Sequence, residues 1–190
     1  MNPVEIIAAL LGVINVSLIV RRSVWNYPFG IAMVCLYAFV FYEARLYSDM
    51  LLQGFFLIVQ IYGWWNWARA DEVRGGVAVS WLSWPGRAAW IAGAAIFSVS
   101  LGWAMARYTD AAAPFADSTI AGFSIAAQFL MAFRRIENWV LWIAVDVLAV
   151  GLFISRELYV TAGLYAVFLV LATAGLIGWM RTHRRAAGAA

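Results

Sequence analysis

Lysine is absent from this 190-residue chain: all 13 basic side chains are Arg, against 10 acidic ones, and charged residues make up only 12%. Cysteine and histidine occur once each, at Cys35 and His183. Neither a disulfide nor a Cys-based zinc site can therefore form within one chain, and no metal or cofactor is expected. There is no Walker A loop, no Gly-rich turn and no Arg inside an apolar run, so nothing cradles a phosphate and ATP-driven pumping is not expected. No nucleophile–base pair points to an enzyme, and no ring of charges or filter motif points to a channel. The net charge of +3 does not read as a nucleic-acid surface, because the Arg residues gather at the ends of apolar runs. That is the pattern of membrane anchors.

What fills the chain is apolar. Hydrophobic residues make up 65%, with 11 Trp and 8 Tyr, and the mean hydropathy is +0.83. Seven stretches approach the ~20 residues that a bilayer core requires: Val4–Val20, Val24–Tyr42, Tyr47–Trp67, Ala88–Ala106, Ser118–Phe133, Trp139–Ile154 and Leu158–Met180. Helices are forced here, since lipid offers no partner for an unpaired backbone group. The first stretch lacks a basic flank and a small-residue cleavage site, so it reads as a mature helix. Pro28 suits the first turn of the second. Arg69–Gly86 reads as the longest loop, with an interfacial segment at Trp81–Trp84, and His183 as a solvated residue of a basic tail. Ten Arg fall on one side of the membrane and only Arg45, Arg107 and Arg156 on the other. The positive-inside rule then places the N-terminus outside and the C-terminus in the cytoplasm of a multi-pass inner-membrane protein.

Shifted by 112 residues, the chain overlays itself without a gap. Arg22–Arg69 against Arg134–Arg181 gives 14 identities in 48 positions, among them Asn26/Asn138, Tyr47/Tyr159, Gly63/Gly175 and Trp67/Trp179. Apolar helices matching by chance would share Leu, Ala and Ile, not an Asn, a Gly and a Trp in register. Each unit holds three helices, so the fourth stretch restores the orientation of the second copy. The expected fold is all-α, seven transmembrane helices as two parallel three-helix repeats joined by a linker helix (3+1+3). The first repeat covers 1–69, the loop and linker helix 70–116, the second repeat 117–181, and the basic tail 182–190. A solute site is expected between the repeats, near mid-membrane.

Two helices carry polar faces. On the third, Asp49, Gln53, Phe56, Gln60, Trp64 and Trp67 share a stripe about 80° wide at 100° per residue. The repeat mates of Gln53 and Gln60 are Tyr165 and Ala172, so this stripe belongs to the first copy. On the sixth, Trp139, Trp142 and Asp146 lie within about 60° of one another, with Glu137 and Asn138 before them. Gln128 stands alone among apolar residues of the fifth. Plainer roles exist for several of these. A membrane Gln also serves as interhelical glue, worth roughly 0.6–2 kcal/mol; Trp64, Trp65, Trp67 and Trp179 suit an interfacial belt; Asp49 can pair with Arg45 one turn away. Asp146 resists such a reading, because an ionised carboxylate in mid-helix costs at least ~2.5 kcal/mol and marks a pathway or solute contact. Trp faces attract positive charge and the amides offer donors and acceptors, which favours a flat, cationic or polar solute.

These residues resemble a known family. Trp25-Asn26-Tyr27-Pro28-Phe29-Gly30, then Leu46-Tyr47-Ser48-Asp49 to Gln53, then Gln60-Ile61-Tyr62-Gly63-Trp64-Trp65-Asn66-Trp67, and later Glu137-Asn138-Trp139 through Trp142 to Asp146, Leu158-Tyr159 and Tyr165, are similar to the PnuC-type vitamin transporters with their SWEET-like 3+1+3 order. The resemblance implies a homotrimer in the bilayer and facilitated diffusion of nicotinamide riboside, trapped by a cytoplasmic kinase. It assigns ligand contacts to Gln53 or Gln60 and to Trp139 and Trp142. Riboside members are expected to carry Asn directly after the second Trp, where this chain has Ile143. Relatives of the same fold carry thiamine or riboflavin, which stand as alternative solutes. From a different class, a membrane receptor without transport would use the same residues for packing alone.

Overall fold

The computed structural model describes residues 3–43, 47–74, 77–109, 113–155, 157 and 159–188. They form seven helices: α1 (Pro3–Val20), α2 (Asn26–Glu43), α3 (Tyr47–Arg74), α4 (Trp84–Tyr108), α5 (Pro114–Ala132), α6 (Glu137–Ser155) and α7 (Tyr159–Gly188). Among the described residues α4, α5, α6 and α7 are long and apolar enough to cross a membrane, while α1 and α2 carry apolar runs at Ile6–Val20 and Asn26–Val40. The fold is that of an all-α membrane protein in 3+1+3 order.

The two copies share their turn chemistry. Arg22 and Arg134, repeat mates, adopt left-handed backbone with φ of 57° and 59°. In the first copy the amide of Arg22 donates to the Ile19 carbonyl (2.8 Å) and that of Ser23 to Leu18 (3.0 Å). In the second, the Arg135 amide donates to Leu130 (2.8 Å). This is the hydrogen-bond pattern that ends a helix at a left-handed residue, a place glycine usually takes. An Arg there costs roughly 1–2 kcal/mol, and its charged side chain offsets this by donating to a carbonyl. Arg22 reaches Val77 O (2.9 Å) and Arg134 reaches Asn66 O (3.2 Å). Asn26 and Asn138 then open the next helix alike, each side-chain amide donating three residues back, to Ser23 O (2.7 Å) and Arg135 O (2.6 Å).

The chain forms two compact units. One holds residues 1–79, 132–134 and 174–190. In it α1 packs on α2 and α2 on α3, around buried Tyr27, Val34, Val59, Trp67 and Trp179. Trp67 and Trp179, again repeat mates, meet at 5.8 Å between ring centroids, and Trp179 donates its indole N–H to Ile19 O (3.1 Å). These two rings are core, not an interfacial belt. A hydrophobic ring whose one donor is satisfied can be fully buried. Trp64 and Trp65 do lie exposed, Trp65 beneath the Arg69 guanidinium. Polar residues also extend α3 to Arg74 and α7 to Gly188, where the sequence reads as loop and tail. His183 is therefore half-buried, its Nδ1 3.2 Å from Val79 O, and not a freely solvated residue.

The other unit holds residues 80–131 and 135–173. Its core is Ala94, Ala126, Ala127, Leu130 and Leu141, with Leu82, Trp90, Phe123 and Trp142 packed against it. Small residues let α4 approach α5 closely. A Cβ on Gly102 would lie 2.7 Å from Ser118 Oγ, and one on Gly122 would meet Ser98 Oγ and lie 3.2 Å from Ala94 O. Ala94, Ser98 and Gly102 thus face Ser118, Gly122 and Ala126, both series spaced by four. This is the small-residue packing that membrane helices use in place of a hydrophobic driving force. The entry to α4 is stapled to the start of α6. Ser80 and Arg135 form a β-bridge, Ile136 N donates to Ser80 O (3.0 Å), and Arg135 donates to Ser80 Oγ (2.5 Å).

Candidate functional site

In the first unit the polar stripe of α3 is divided: its middle is covered, while Trp64 is exposed. Gln60 and Trp67 are buried, and Gln53 and Phe56 are half-buried. Asp49 lies on α3 with its side chain outside the described residues, and Arg45 lies outside the described residues altogether, so their expected pairing falls outside what the structure describes. Gln60 reaches α2 because Gly30 stands opposite. A Cβ added there would meet Gln60 Oε1, 2.6 Å from Asn15 Nδ2 and 2.9 Å from Gln60 Cδ. Asn15 of α1 is fixed by donating to the Asn26 carbonyl (2.7 Å). Tyr27, one residue on, packs edge-on to Trp67 at 5.5 Å and lies against Gly63, where a Cβ would sit 2.6 Å from the phenol oxygen. Gln60 Oε1, Asn26 Oδ1 and the Tyr27 hydroxyl are buried without a hydrogen-bond partner among the described residues. Buried acceptors left so cost about 1–3 kcal/mol each and call for an explanation.

In the second unit α6 gathers the charged and aromatic set. Glu137, Asn138, Trp139 and Asp146 are buried on it, and Trp142 is half-buried against the apolar core. Asn138 Oδ1 and Glu137 Oε2 have no partner among the described residues. Glu137 opens the helix, where a negative charge is favoured by the helix dipole. Its Oε1 accepts from Arg87 Nε (2.7 Å) and from the Leu82 amide (2.9 Å). The Arg87 guanidinium in turn sits over the rings of Trp81 (4.9 Å) and Trp84 (4.8 Å). Gln128 is buried on α5, and Tyr165 of α7 packs on Phe153 (5.2 Å) and Phe168 (6.0 Å). Of the residues picked from sequence, the structure thus places Trp139, Trp142 and Asp146 together on α6 and Gln53 and Gln60 on α3. Sequence reasoning missed Asn15 and Gly30. The available signal was their repeat mates, Ala127 and Trp142, which invert small and large.

These features can now be set beside known proteins. Residues 2–181 match the family described as nicotinamide mononucleotide transporter. The nicotinamide riboside transporter PnuC of Escherichia coli K12 is 27% identical over 209 residues, covering 95% of this chain and 86% of that protein. The riboflavin/roseoflavin transporter RibM of Streptomyces davaonensis is 27% identical over 184 residues, with the same coverage of both chains. Among solved structures, a crystal structure of the vitamin B3 transporter PnuC superposes with a TM-score of 0.78 at 27% identity, over 97% of this chain and 84% of that one. With the match spanning nearly every residue, the chain belongs to the nicotinamide mononucleotide transporter family of multi-pass membrane transporters.

Proposed function

We propose that this chain carries nicotinamide riboside across the bacterial inner membrane by facilitated diffusion. The observation that carries the reading is the α6 series Asn138, Trp139, Trp142 and Asp146, buried or half-buried on one helix. A pyridinium ring is flat and positively charged, and an indole face attracts it by ~0.5–2 kcal/mol. Asp146 supplies the opposite charge, whose cost inside a membrane is offset when a cation sits beside it. In the same unit the amides of Gln128 and Asn138 address the hydroxyls and the carboxamide, and Tyr165 adds a further aromatic wall; Gln53 and Gln60 of α3 are the solute contacts of the first unit. Asp49 serves at the outer end.

The riboside fits better than its mononucleotide. A phosphate needs cationic partners, and the Arg side chains with assigned contacts are committed elsewhere. Arg22 and Arg134 hold backbone carbonyls, Arg87 holds Glu137, and Arg135 holds Ser80. The proposal includes three further parts: ten of the 13 Arg facing the cytoplasm, assembly as a homotrimer, and trapping of the solute by cytoplasmic phosphorylation. A second reading, riboflavin, is supported by the likeness to RibM and by Ile143, which stands where riboside members are expected to carry Asn. Uptake of labelled nicotinamide riboside, thiamine and riboflavin into proteoliposomes tests the choice. Saturable riboside flux above the other two is expected, and its absence in reconstituted, folded protein rejects the proposal.

A further inference from the structure

The repeat relation pairs three positions that touch in the first copy with three that invert them in the second. Asn15, Gly30 and Gln60 correspond to Ala127, Trp142 and Ala172. In the first unit Gly30 leaves room on α2 that the Asn15 and Gln60 amides occupy. In the second, Trp142 fills the corresponding place on α6 and packs on the cluster that contains Ala127. Ala172 is buried as well. The first set is a glycine opposite two amides, the second a tryptophan packed on an alanine-rich cluster. One copy thus holds two amides where the other holds an aromatic ring.

Gln60 carries the unpaired group of the first set. It is 4% accessible, and its Oε1 has no hydrogen-bond partner among the described residues. Asn15 cannot satisfy Gln60 with the hydrogen it gives to the Asn26 carbonyl. A buried carbonyl oxygen of this kind asks for a donor. Sugar hydroxyls are donors; an ionised phosphate is an acceptor and would meet Gln60 Oε1 unfavourably.

We propose that Gly30 and Asn15 are specificity-determining residues, which seat the Gln60 carboxamide so that its oxygen accepts from a hydroxyl of the carried riboside. The inference rests on the riboside reading above. Both are positioning residues, acting through Gln60.

The test compares binding of nicotinamide riboside and of nicotinamide, which lacks the sugar, by Trp fluorescence on the purified full chain. Wild type, Gly30→Ala, Gln60→Ala and the double variant are measured, with thermal melting of each in detergent. Loss of one such hydrogen bond weakens riboside binding about tenfold or somewhat less, while nicotinamide binding stays at the wild-type level. Because the added Cβ acts by displacing Gln60, Gly30→Ala adds no further loss in the Gln60→Ala background. That background also removes the side chain nearest to the added Cβ and leaves space into which the Asn15 amide can shift, so the double variant keeps the pair measurable if Gly30→Ala alone folds poorly. Equal weakening toward both ligands, or unchanged riboside binding by Gln60→Ala, overturns the inference and leaves the riboside reading standing. Wild-type protein that binds no riboside overturns both.

Discussion

The first helices of the two copies, α1 and α5, differ most where they should be alike. Ser118, Gly122 and Ala126 of α5 correspond to Ile6, Leu10 and Ile14 of α1. The small series is matched by Ala94, Ser98 and Gly102 of the linker helix, while the large series is exposed. A helix joining two copies of one unit could in principle pack on either. Side-chain size decides the matter, because membrane helices associate where backbones can approach. The turns that follow diverge in the same sense. Glu137 of the second copy is 8% accessible and holds Arg87, whereas its mate in the first, Trp25, is 72% accessible. The two modules share one repeat and differ at the face that in the second copy meets the linker helix.

Breaking what the copies share should cost most. Trp67 and Trp179 pack on each other, so Trp179→Ala should destabilise by about 3–5 kcal/mol. Combining it with Trp67→Ala should cost clearly less than the sum, because the two lose one contact between them. Denaturant titration in detergent measures both. Next comes the difference at the linker. Gly122→Leu, which gives the second copy the residue of the first, should destabilise by about 1–3 kcal/mol through overpacking against Ser98 and Ala94. Leu10→Ala on the exposed stripe should stay within about 0.5 kcal/mol. Similar losses from both would dissolve the comparison. Smallest is the latch: Glu137→Ala should cost about 1–2 kcal/mol by leaving Arg87 and the Leu82 amide without their acceptor. Trp25→Ala should leave the melting temperature nearly unchanged.

The seven helices were legible in the sequence because lipid leaves the backbone few choices, and the repeat fixed their grouping. The ends of α3 and α7 were not. Charged residues from Arg69 to Arg74 and from Arg181 to Arg185 read as loop and tail, yet the backbone there continues as helix. The α6 series was visible because an acid and two Trp on one face are rare in a membrane helix. The Asn15–Gly30–Gln60 contact was hidden, since it joins three helices and one partner is a missing side chain. Trp67 and Trp179 were misassigned to the belt because position along a helix says nothing of what covers the ring.

Counterflow in proteoliposomes loaded with unlabelled nicotinamide riboside addresses the central claim most directly, comparing external labelled riboside with external labelled mononucleotide. The account predicts rapid accumulation of riboside, strongly reduced by Trp142→Ala and by Gln60→Ala, with no accumulation of the mononucleotide. Equal accumulation of both, or riboside exchange indifferent to both substitutions, would contradict it.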